Sequence, residues 1–76
     1  MTNIEKYTIF LIEQYRFKFG ISANSAYNLF KNKGILDYIN STFEAIHTLD
    51  TNFVLAEIEE LVKYPYATSP HNPYAQ

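Results

Sequence analysis

The sequence predicts an all-α fold, a small bundle of four short helices (three to five fit the punctuation) followed by an extended C-terminal tail. Three observations carry this prediction. Large apolar residues recur three and four positions apart in each stretch; no strict apolar–polar alternation is bounded by hairpin turns; and Gly, Asn and Ser separate the stretches. At 76 residues, 47% hydrophobic and 18% charged, the chain reads as one domain, residues 1–64, with a tail at 65–76.

The first helix begins at Thr2 or Asn3, whose side chains can accept a bond from the free N–H groups of the first turn. Glu5 lies at the positive end of its dipole. Ile4, Tyr7, Leu11 and Tyr15 form its stripe with Thr8, and Glu5, Glu13 and Arg16 lie opposite. Ile9, Phe10 and Ile12 widen the apolar arc beyond the usual ~100°, so this helix is expected to lie centrally or to cover a second apolar surface. Gly20 is a left-handed stop. The second helix is capped by Ser22 or Asn24 and presents Ala26, Leu29 and Phe30, with Tyr27 at the margin of that face; Lys31 and Lys33 favour its end and Gly34 terminates it. A third helix groups Ile35, Leu36 and Ile39 and turns Asp37 and Asn40 outward. Its continuation is open, because Ser41-Thr42-Phe43-Glu44 fits a capping box from which a new helix, burying Phe43 and Ile46, could start. The last helix is capped by Asp50 or Thr51, buries Val54, Leu55, Ile58, Leu61 and Val62, and turns Glu57, Glu59 and Glu60 to solvent. Pro65 stops it; the tail beyond has no period, but Tyr66 and Tyr74 give it anchors that an inert linker lacks.

Composition narrows the function classes. The chain has no Cys, which removes disulfides and thiolate chemistry, and His47 and His71 stand far apart, so neither a metal nor a cofactor is expected. A net charge of −2 lacks the basic excess of nucleic-acid binders. A helix-turn-helix at residues 24–48 would place Asp37 and Glu44 against phosphates, and Arg16-Phe17-Lys18-Phe19 diverges around a helix and forms no stacking platform. The longest apolar run, Ile9-Phe10-Leu11-Ile12, is far short of the ~20 residues that span a bilayer, and Met1 to Lys6 lacks a basic leader, so a cytoplasmic location is expected.

Taken in order, Tyr27-x-Leu29-Phe30, Gly34-Ile35-Leu36-Asp37-Tyr38-Ile39, Phe43-x-x-Ile46-His47-Thr48 and Val54-x-x-x-Ile58 resemble a family of small bacterial helical proteins of unknown function, over about residues 3–63. In that family a Gly-Ile-x-x-Tyr stretch is commonly followed by Leu-His-Thr; here Ile46 replaces the Leu, and Phe43 stands where a Tyr is common. The resemblance implies proteins of Gram-positive and related bacteria, some encoded beside ADP-ribosyltransferase-like toxin domains, and hence an antitoxin or accessory partner.

Enzymatic chemistry has one pair to work with. Glu44 and His47 share a helical face and are close enough in sequence for proton transfer, but no nucleophile accompanies them, and a structural His47 bonded to a backbone carbonyl or to Thr48 is the plainer expectation. The chain is expected not to be an enzyme. The aromatic excess is more telling. Thirteen Phe and Tyr residues exceed what a miniature bundle easily encloses, so Phe10, Phe17, Tyr64 and Tyr66 can line a contact surface, although a well-filled core is the competing account. The resulting expectation is a non-catalytic protein-binding module, an antitoxin-like inhibitor that occludes a larger protein. Phe17, Tyr64, Tyr66 and Tyr74 would be its anchors, with Glu57 and Glu60 steering a basic partner. The alternatives are a structural homodimer and an accessory subunit that lends Glu44 and His47 to an enzyme site.

Overall fold

Local hydrogen bonding sets where each helix starts and stops. In the computed structural model, which describes residues 1–64, four helices follow one another: α1 (Asn3–Phe19), α2 (Ala23–Asn32), α3 (Ile35–Ile46) and α4 (Thr51–Lys63). The fold is an all-α bundle, as expected. Tyr66, Tyr74 and the rest of the tail lie outside the described residues. No helix among the described residues is long and apolar enough to cross a membrane.

Thr2, in extended conformation, caps α1: its hydroxyl accepts the Glu5 N–H at 3.1 Å while the Glu5 carboxylate accepts the Thr2 N–H at 2.7 Å. At the other end Gly20 turns left-handed, with φ of 65°, and the Ile21 N–H returns to the Arg16 carbonyl at 3.0 Å. Ser22 caps α2 through the Ser25 N–H, and Gly34, with φ of 74°, makes the sharp corner into α3. Asp50 caps α4 by accepting the N–H groups of Asn52 and Phe53.

The second capping box does not form. α3 runs unbroken through Ser41, and the Thr42 hydroxyl donates to the Tyr38 carbonyl at 2.6 Å. The reason is burial: Ile39 and Ile46, on either side of Ser41, belong to one buried stripe that a break would split.

The core comprises Leu11, Ile12 and Tyr15 from α1, Ala26 and Phe30 from α2, Ile35, Ile39 and Ile46 from α3, and Val54, Leu55 and Ile58 from α4. Helix α1 packs on all three others, the central position its wide apolar arc predicts. Leu61 and Val62, expected in the core, only pack against its edge. Glu59 departs from the solvated face predicted for it, because Lys18 of α1 reaches it at 2.8 Å and ties the end of α1 to α4.

The capping bonds predict a specific acid response. The Thr2 backbone N–H, and secondarily its hydroxyl, hold the Glu5 carboxyl below its ordinary value of 4.5. A depressed carboxyl contributes stability that is complete above the unfolded value and is lost as pH falls through the folded one. Glu5→Gln should therefore lower the melting temperature at neutral pH and flatten its fall on acidification below about pH 4.5; a variant whose melting profile parallels the parent over that range would contradict the assignment.

Candidate functional site

The residues with chemical potential fall into three groups, set by which helix face carries them. The first is an aromatic row joining α1 to the end of α3. Phe10 lies against Tyr7 at 6.3 Å, Phe43 meets Tyr7 edge-on at 5.6 Å, and His47 stacks on Phe43 at 4.5 Å with the rings 17° apart. Two bonds fix the row. The Tyr7 hydroxyl donates to the Ile46 carbonyl at 3.3 Å, and the exposed His47 ring donates through Nδ1 to the Phe43 carbonyl at 2.7 Å. A carbonyl can only accept, so in this bond Nδ1 carries the proton. Among the described residues, no hydrogen bond or ion pair joins Glu44 to His47, and none of the His, Asp and Glu groupings could hold a metal ion. His47 thus has the backbone-bonded placement expected of it, but on the surface.

The second group is the set of aromatic side chains outside the core. Tyr15 and Phe30, packed edge to face at 5.4 Å, are the aromatic members of the buried core. Phe10, Phe17, Phe19, Tyr27, Phe53 and Tyr64 are each more than 40% exposed, with Phe17 at 67% and Tyr64 at 73%. The well-filled-core account therefore fails for these six. Phe17 carries the Arg16 guanidinium 4.3 Å over its ring, while Arg16 also bonds Glu13 at 3.1 Å. Glu57 and Glu60 are exposed on α4, and Glu60 lies 4.0 Å from Lys63. The structure does not assemble the expected contact residues into one site: among the described residues no ring contact joins Phe17 to Tyr64, and no ion pair links either glutamate to α1.

The third group was not foreseen as a site. The N-terminal half of α1 and the facing sides of α2 and α3 leave an apolar trough of about 570 Å³, floored by Ile12 and walled by Ile4, Ile9, Tyr27 and Leu36. Glu5 on the α1 side and Asp37 with Asn40 on the α3 side form its polar margins. Two signals pointed toward it, the excess width of the first helix's apolar arc at Ile9 and Ile12 and the marginal position of Tyr27. Neither could show that the two faces meet.

These placements rank two side chains of the aromatic row. Tyr7 is partly buried, and Tyr7→Phe removes only its hydroxyl, so the loss should be ~1 kcal/mol. His47 is exposed, and His47→Ala should cost less than that. Urea unfolding of both variants checks the order; a larger loss for His47→Ala would reverse the assignment.

Among known proteins, the family described as "Protein of unknown function (DUF3791)" matches residues 6–64, nearly all of the helical domain. No curated protein and no solved structure matches the chain. A match over well more than half of the sequence, spanning all but the start of α1 and the whole of α2, α3 and α4, makes the chain a member of the DUF3791 family.

Proposed function

We propose that the protein is a non-catalytic protein-binding module, an antitoxin-like inhibitor that acts in the bacterial cytoplasm by covering a functional surface of a larger protein. The observation that carries this reading is the exposure of six aromatic side chains on a domain whose core is built mainly from Leu, Ile and Val. Aromatic side chains left in water offer large contact area with few rotatable bonds, which is what an interface uses as an anchor. Phe17 and Tyr64, with Tyr66 and Tyr74 of the tail, supply the anchors; Glu57 and Glu60 steer a basic surface. The partner class is an ADP-ribosyltransferase-like toxin domain, in keeping with the genetic setting that the family resemblance implies. A structural homodimer would use the same exposed rings, and molecular mass separates the two readings.

Co-expression of the full chain with the product of the adjacent reading frame tests the proposal. The expected result is a stable heteromeric complex, with Phe17→Ala and Tyr64→Ala together weakening it about tenfold or more, equivalent to ~1.4 kcal/mol. Failure of the neighbour to bind, with the chain eluting instead as a dimer of itself, would replace this reading with the homodimer.

A further inference from the structure

The trough beside α1 has a shape and a charge pattern that restrict its occupant. Of its apolar walls, Ile9 is 49% and Tyr27 44% exposed, while Ile12 beneath them is 8% exposed. Such an open channel cannot enclose most of a small molecule's surface, which pockets for small ligands do. It is bounded by helices on both sides and follows α1 from Ile4 to Ile12, ~12 Å or a little over two helical turns. Its two acidic side chains stand on opposite margins, Glu5 on α1 and Asp37 on α3, and among the described residues no Lys or Arg lines it. The Glu5 carboxylate accepts the Thr2 N–H at 2.7 Å, which fixes it at the α1 margin.

We propose that this trough receives an amphipathic helix of a partner protein, whose apolar residues at i, i+4 and i+7 seat over Ile9, Ile12, Tyr27 and Leu36 and whose flanking Lys or Arg residues meet Glu5 and Asp37. The inference deepens the protein-binding reading on which it rests and names the chemistry of the bound segment. Both flanks of the helix must be basic, because the two carboxylates lie on opposite margins. A helix with acidic flanks would place like charges together along its length and be rejected.

The test uses the full chain and a fluorescein-labelled helical peptide of ~14 residues, with Leu on one face and Lys on both flanks, against the same peptide with Glu in place of Lys. At physiological salt the Lys peptide should bind at least tenfold more tightly than the Glu peptide. Asp37→Lys should weaken binding about fivefold or more, and Ile9→Glu should abolish it. Both positions are exposed, and circular dichroism confirms that the variants stay helical. Amide shifts on binding should map to Ile9, Tyr27 and Leu36 and leave Phe17 unmoved. The proposal is overturned by equal binding of the two peptides, by no binding at ~1 mM, by shifts centred on Phe17, or by the same shifts appearing on raising protein concentration alone, which would make a second copy the occupant. Failure here is separable from failure of the protein-binding reading: a natural partner that binds the parent and the Ile9→Glu variant equally would sink the trough and leave that reading standing.

Discussion

A helix that packs on all three others limits how much this domain can bury. Helix α1 lies against α2, α3 and α4, so its inward stripe of Leu11, Ile12 and Tyr15 is common to the whole core. Four short helices around one such stripe close on themselves quickly. The largest fully buried side chains, Leu11, Phe30, Ile35, Ile39, Val54 and Ile58, are all aliphatic apart from Phe30, and once they interdigitate with Tyr15 little room remains for further rings. The surplus aromatic side chains are therefore on the outside because of the size of the core.

The exposed rings fall into two kinds. Phe10 and Phe19 retain intramolecular partners in Tyr7 and Tyr15, so part of their area already works within the fold. Among the described residues, Phe17 has a neighbouring guanidinium over its face, and no ring contact is found for Phe53 or Tyr64. Apolar surface held in water without an internal role favours association. The trough differs again: its walls belong to three helices.

Much of the architecture was legible because it depends on short-range chemistry. Gly20 and Gly34 mark corners that need a left-handed backbone, and Ser22 and Asp50 stand one position before helices whose first N–H groups they accept. Thr2-x-x-Glu5 and Ser41-x-x-Glu44 show where such local reading stops. Both fit one pattern, yet only the first is a cap, because Ser41 falls inside a stripe that runs from Ile35 to Ile46 and is held by burial against α1, α2 and α4. What the sequence could not supply were contacts between distant segments: Lys18 with Glu59, the Tyr7 hydroxyl with the Ile46 carbonyl, and the meeting of the Ile9 and Leu36 faces. Each depends on how helices cross, and periodicity within one helix carries no information on that.

The central proposal is that Phe17, Phe53 and Tyr64 serve contact with another molecule and contribute little to the fold. The most direct measurement is the melting temperature of the isolated triple variant Phe17→Ser, Phe53→Ser, Tyr64→Ser. The account predicts a shift of less than about 5 °C, since ~1 kcal/mol moves a domain of this size by about 4–8 °C. A loss of more than about 10 °C, comparable to emptying part of the core, would show that these rings hold the domain together and would contradict the account.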